Sequence, residues 1–147
     1  LCKMYSRIYK LNVTIFRYFN VYGPRQPVKG EYAPVIGIFQ KQRNAGQKLT
    51  VIGDGMQTRD YTHVDDVVSA NLLVVHKAIN IFEILNVGTG KKYSVLDLAK
   101  LIGGEIKFLP NRTGEARDTQ ADISKITKVL NWRPTVYLNS WIGDNKW

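Results

Sequence analysis

Apolar residues repeat along this chain with two periods, and the switches between them mark out its elements. Leu1, Met4, Tyr5 and Ile8 recur three and four residues apart, as one face of a helix requires. No capping residue precedes them, so the helix over residues 1–10 is expected to begin upstream. Residues 13–17 (VTIFR) read as a buried strand, and a long loop with Gly23, Pro24 and Pro27 follows. A helix is predicted over 34–45, with Pro34 in its first turn and Gly46 past its end. Residues 49–52 and 61–64 read as short strands, the first closed by the turn Gly53-Asp54-Gly55. The Asp65-Asp66 pair suits the first turn of a helix running to about Ile79.

The second half continues the alternation. Residues 82–87 form a strand closed by Gly88-Thr89-Gly90, and Ser94 and Asp97 have capping-box spacing. They open a helix whose Val95, Leu98, Ala99 and Ile102 share one face. Residues 105–109 read as a strand, and Asp122 is expected to cap a last helix that stops before Trp132-Arg133-Pro134. Residues 139–147 (NSWIGDNKW) do not read as a closing helix. Strands alternating with helices make the class α/β, with too few strands for a complete doubly wound sheet.

Composition narrows the function. A chain of 147 residues, 44% hydrophobic, can bury a core, and no apolar run reaches the roughly 20 residues of a membrane span. The single cysteine, Cys2, excludes a disulfide framework and a cysteine-based zinc site. Without a leader pattern, a cytoplasmic protein is the expectation. Lys and Arg number 21 against 12 acidic residues, a net charge of +9 that calls for an anionic partner. Lys91-Lys92 is the one adjacent basic pair, so the bases are dispersed rather than massed for nucleic acid.

Direct motif searches yield little. None of the 12 glycines builds a dinucleotide-binding fingerprint, and Gly53-x-Gly55 and Gly88-x-Gly90 read as turns. His63 precedes two carboxylates, a spacing open to a metal, but with two histidines in the chain a structural hydrogen bond is preferred. The loops 18–26 and 51–59 each follow a strand, where open α/β sheets place ligands, and each carries an arginine.

Four segments in order then carry a resemblance: RYFNVYGPRQ (17–26), VIGDGMQTRDYTHVDDVV (51–68), LNVGTGKKYSVLDLA (85–99) and RTGEARDTQADISKITKVLNWRP (112–134). Together they resemble the C-terminal half of NAD-dependent sugar-nucleotide epimerases/dehydratases, the extended short-chain dehydrogenases/reductases, with a flavour closest to UDP-glucose or UDP-N-acetylglucosamine 4-epimerases. The resemblance implies the end of a Rossmann sheet plus a small substrate-binding domain. Residues 1–27 would close the NAD-binding domain and 28–147 would mainly bind the nucleotide sugar, with 65–90 returning to the Rossmann sheet. It also implies NAD as cofactor, a UDP-sugar as substrate, no nucleic-acid or membrane partner, and a homodimer at full length. Epimerisation would run through a transient 4-keto sugar; a 4,6-dehydratase or reductase of the same family is the alternative, and a basic nucleic-acid-binding module a remote one.

The family's catalytic Tyr-x-x-x-Lys pair is absent from these residues: none of the eight tyrosines has a lysine four positions later. The pair is expected upstream of Leu1, leaving this stretch inactive alone and without catalytic or metal-binding residues of its own. Residue by residue, the resemblance assigns Arg59 and Arg112 to the diphosphate, a ligand that needs fixed cations. It assigns Asn20 to the sugar or phosphate, Glu115 to the ribose, and Tyr18 and Phe19 to the nicotinamide side. The backbone from Val51 to Gly53 would offer its polar groups to the base, and Pro34 and Val35 would line the pocket. Arg25, Asp65 and Asp66 read as structural.

Overall fold

A computed structural model of the chain describes residues 1–30, 33–77 and 82–144. Helix α1 (Cys2–Tyr9) leads into strand β1 (Thr14–Tyr18) and the two-residue β2 (Val21–Tyr22). Then come α2 (Val35–Asn44), β3 (Leu49–Ile52), β4 (Thr58–Arg59), β5 (Thr62–His63) and α3 (Val64–Lys77). The chain continues through β6 (Glu83–Val87), β7 (Tyr93–Ser94), α4 (Val95–Ile102), β8 (Ile106–Leu109), α5 (Ser124–Leu130) and α6 (Leu138–Asp144). The predicted end of α3 at Ile79 lies outside the described residues.

Pairing is mostly parallel. β1 lies beside β6 from Thr14↔Glu83 to Tyr18↔Val87, and β3 beside β8 from Leu49↔Ile106 to Ile52↔Leu109. β2 and β5 pair in parallel, while β4 and β7 are antiparallel. The two longer pairs are the bases of two cores. In one, Val67 and Ala70 of α3 and Ile126 and Leu130 of α5 pack on Leu85 and Val87, with Trp132 closing the edge. In the other, Ile36 and Phe39 of α2 and Leu98, Ala99 and Ile102 of α4 pack on Leu49 and Val51.

Local chemistry explains the elements. Ser94 Oγ accepts from the Asp97 amide at 2.9 Å and donates to Asp97 Oδ2 at 2.7 Å, so Ser94 caps α4 as its spacing from Asp97 predicts, with the Asp97 carboxylate on the hydroxyl rather than on the Ser94 amide of a full capping box. All four predicted apolar positions of that helix are buried. Helix α1 differs: none of its residues is buried, and Leu1, Met4, Tyr5, Ile8 and Tyr9 stand exposed.

Three sequence expectations are corrected. Asp122 does not occupy the cap of α5; its carboxylate accepts from the Ser124 amide at 2.9 Å, one position before the cap residue Ile123. Residues 138–144 do form a helix, α6, because Leu138 and Ile142, four apart, bury against the second core with Trp141 beside them. The short length and polar tail of that stretch hid a two-anchor face. The strands β2, β4 and β7 were not expected, each being too short to show a period. The last three residues of the tail, 145–147, lie outside the described residues.

Two buried carboxylates tie the cores together. Asp66, read as structural, reaches away from its own helix: Oδ1 accepts from the Thr135 amide (2.9 Å) and hydroxyl (2.8 Å), and Oδ2 from the Val136 amide (3.1 Å). Asp60 is 0% exposed and accepts four hydrogen bonds. Its Oδ1 takes the Thr89 amide (2.8 Å) and hydroxyl (2.6 Å), and its Oδ2 the amides of Gly90 (2.9 Å) and Ala121 (3.1 Å). Gly88 lets this loop approach: a Cβ there would strike Ala121 Cβ and stand 3.0 Å from Asp60 Oδ2.

Asp60→Ala is therefore expected to lower stability by about 3 kcal/mol or more, since four donors lose a charged acceptor and three are backbone amides that cannot turn elsewhere. Asp60→Asn is expected to destabilise as well, because its NH2 group must face backbone amides on one side. Urea unfolding of the native protein measures both; an unchanged midpoint for Asp60→Ala would refute the role given to this residue.

Candidate functional site

A cavity of about 520 Å³ opens between α2, β3 and the extended segment 57–61. Alternation along the chain builds its walls. In β3, Leu49 and Val51 turn into the core while Thr50 and Ile52 line the cavity. Along 57–61, Gln57, Arg59 and Tyr61 face the cavity. Thr58 and Asp60 face the other way: the Thr58 hydroxyl donates to Asp118 Oδ1, and Asp60 accepts from the loops at 89–90 and 121. Pro34, Val35, Ile38 and Phe39 make the opposite, apolar wall, and Leu109, Arg112 and Glu115 close one end.

The charged end is asymmetric. Arg59 donates from Nη1 to its neighbour's carbonyl, Thr58 O, at 2.8 Å, and from Nη2 to Glu115 Oε1 at 3.2 Å. The two side chains are 15% and 33% exposed. Arg112 has no ion pair among the described residues, so one guanidinium at this end is held and one is free. Burial pushes the Tyr61 phenol well above its ordinary range, Arg59 opposing and Glu115 adding to the effect, so a neutral hydroxyl lines the wall.

Asn20 lines the cavity from the turn after β1. Its backbone has a positive φ of 21°, a conformation asparagine tolerates better than most residues. Two bonds hold it: Nδ2 donates to Asp60 O at 3.0 Å, and its own carbonyl accepts from the Thr62 amide at 3.2 Å.

Of the residues singled out in the sequence, Asn20, Pro34, Val35, Arg59, Arg112 and Glu115 meet on this one cavity. Val51 does not. It is 0% exposed, and its backbone is in phase with Leu49 and Gly53, whose amides donate to Glu105 O and Leu109 O on the β8 side. The residues that reach the cavity are its neighbours, because side chains alternate along a strand. Tyr18 and Phe19 lie apart, at the carboxyl end of β1. Tyr18 is 49% exposed, with Asn71 Nδ2 donating to its hydroxyl at 3.0 Å, and the Phe19 amide donates to Val87 O at 3.0 Å.

Sequence reasoning missed Thr50, Gln57 and Tyr61. A signal was present: once Arg59 is placed on a cavity, an extended segment puts residues two before and two after it on the same side. His63 is buried, its Nδ1 accepting from the Asp65 amide at 3.2 Å, the structural role preferred for it. No group of three or more His, Cys, Asp or Glu suited to a metal ion occurs among the described residues. Nor does any helix there have the length and apolarity to cross a membrane.

The parallel α/β framework is that of the extended short-chain dehydrogenases, and the chain belongs to the NAD dependent epimerase/dehydratase family, whose model matches residues 1–88. It is 41% identical over 146 residues to a putative UDP-glucose 4-epimerase of Methanocaldococcus jannaschii, covering 95% of this chain and 46% of that protein. Among solved structures it is similar to the UDP-glucose 4-epimerase of Thermotoga maritima with UDP-glucose (TM-score 0.87, 39% identity, 96% of this chain and 47% of that one). It is also similar to the UDP-glucuronic acid 4-epimerase of Bacillus cereus in complex with UDP-glucuronic acid and NAD (TM-score 0.85, 34% identity, 97% and 46%). The chain spans about half the length of the relatives it matches.

One electrostatic contact at the rim has a defined pH signature. Arg117 holds Asp54 through two parallel bonds, Nη1 to Oδ1 at 2.9 Å and Nη2 to Oδ2 at 2.8 Å. With the Met56 amide also donating to Oδ1, the Asp54 carboxyl falls from its ordinary 3.8 to about 2. A carboxylate depressed on folding stabilises above its ordinary value, so the contact should be intact above about pH 4 and lost as pH falls towards 2. An NMR titration should place the Asp54 midpoint near that low value and move it up in Arg117→Ala; an unmoved midpoint would refute the pairing.

Proposed function

We propose that this chain forms the nucleotide-sugar-binding part of an NAD-dependent sugar-nucleotide epimerase, acting on a UDP-sugar at C4 through a transient 4-keto sugar. The observation that carries the reading is the gathering of Asn20, Arg59, and the pair Arg112 and Glu115 from three distant stretches of sequence onto one cavity with an apolar opposite wall. Such a cavity suits a nucleoside diphosphate: guanidinium groups for the phosphates, a carboxylate for a ribose diol, and apolar side chains for the base. A free Arg112 and a braced Arg59 give one cation that adapts and one that is pre-set.

The described residues fit the cofactor only in part. Tyr18 and Phe19, at the carboxyl end of a parallel strand and partly open, offer an aromatic edge beside the nicotinamide. No glycine-rich diphosphate loop and no Tyr-x-x-x-Lys pair occur in the chain. NAD, when bound, supplies a hydride acceptor and donor, and the acid–base pair comes from the part of its relatives' length that this chain does not span. The residues here grip the nucleotide and leave the sugar free to turn. By this reading the core of α3, β6 and α5 belongs to the cofactor-binding domain, and the core of α2, β3 and α4 to the substrate domain. The exposed apolar side of α1 supports pairing of two copies at full length.

Isothermal titration of the native gene product with UDP tests the proposal. Arg59→Ala and Arg112→Ala are each expected to weaken UDP binding about tenfold or more, the loss of one charge-assisted contact. Product analysis with UDP-glucose should give the C4 epimer rather than a 6-deoxy-4-keto sugar, and the 147-residue chain alone should give no turnover. Native protein that does not bind UDP, or variants that bind it unchanged, would overturn the reading.

A further inference from the structure

Arg112 and Glu115 sit on a segment with little to hold it. Residues 111–118 have no helix and almost no strand pairing, and all are exposed. Yet the segment crosses one end of the cavity and must hold two charged groups there. Besides the Arg59–Glu115 pair and the bond from the Thr58 amide to Arg117 O, side-chain contacts at Asn111, Arg117 and Asp118 fasten it. The Asn111 side chain lies against Gly53, leaving no room for a Cβ. Arg117 grips Asp54 through both nitrogens, and Asp118 meets Lys92 at 2.8 Å and the Thr58 hydroxyl.

The Asp54 carboxylate is itself oriented: it belongs to the turn that closes β3, and the Met56 amide donates to it at 2.9 Å. Arg117 is not on the wall of the main cavity. With Gln57, Arg112 and Glu115 it lines a smaller, open hollow of about 90 Å³ beside the segment 111–118, which lies as a strap over it. Exposed ion pairs add little to folding, whereas a two-point guanidinium–carboxylate contact fixes orientation as well as distance.

We propose that Asp54 and Arg117 form a clasp that positions Arg112 and Glu115 over the cavity, and so sets affinity for a nucleoside diphosphate without touching it. The inference rests on the nucleotide-sugar reading above. Both are positioning residues, acting through the strap. A misplacement of an ångström at a guanidinium is enough to lose much of a charge-assisted contact.

The test uses the native gene product, UDP as probe, and three variants: Arg117→Ala, Asp54→Asn and the reversed pair Asp54→Arg with Arg117→Asp. Each single change is expected to weaken UDP binding about tenfold, and the reversed pair to recover most of the loss. Hydrogen exchange should quicken at the amides of Thr58 and Thr119, which bond across to Arg117 O and Thr58 O, in the single variants while the amides of β3 and α4 keep their protection, which separates a loosened strap from a misfolded protein. Singles that bind UDP normally would overturn the inference and leave the nucleotide-sugar reading intact. A reversed pair that stays weak would overturn it too, since Arg117 would then meet the ligand itself. Unmutated protein that fails to bind UDP would remove the nucleotide-sugar reading, and the clasp with it.

Discussion

The carboxylate of Asp60 is the point from which the site is hung. A charge taken fully out of water must be met by donors, and here they are uncharged: three backbone amides and a hydroxyl from two other stretches of chain. Satisfying them draws the loop after β6 and the approach to α5 to the same spot. The Asp60 carbonyl adds Asn20, from the turn after β1. Because Asp60 points inward, its neighbours Arg59 and Tyr61 must point outward to the cavity. One buried charge thus fixes the phase of the segment that carries a principal cation of the site.

The cavity follows the same economy of phase. β3 presents Thr50 and Ile52 to the ligand side while its alternate residues hold the core under α2 and α4. Wall and foundation are one strand, so the wall is as rigid as the core beneath it. The charged end is built otherwise, from loop residues fastened by polar contacts. A strand-built wall anchored in the core facing an adjustable charged rim suits a ligand with one rigid and one flexible end.

Much of this was legible in the residues. Long elements with a clear period, α1, α2, α3, α4, β1, β3, β6 and β8, lie close to where their patterns place them. The N-cap Ser94, three residues before Asp97, and the arginines of the cavity were recognisable from residue type and motif. What escaped were features set by partners distant in sequence. Two-residue strands have no period to read. Helix α6 rests on two apolar anchors that gain meaning only when the second core is present. The motif at 51–53 names a segment, and only strand phase tells that Ile52 rather than Val51 looks onto the cavity. Asp60, the best-connected carboxylate among the described residues, stands between Arg59 and Tyr61 with nothing in the sequence to mark it.

The strand pairing carries a kinetic meaning as well. Among the described residues no strand pairs with its neighbour through a tight turn; Thr14 meets Glu83, Leu49 meets Ile106, and Thr58 meets Ser94. Each such contact closes a long loop, so chain entropy is lost before the contact returns anything. Helices such as α4 can form early from local signals, but the Asp60 carboxylate has no partners until residues 89, 90 and 121 arrive. A chain wired in this way assembles its ligand cavity late, when nearly all of it has already found its place.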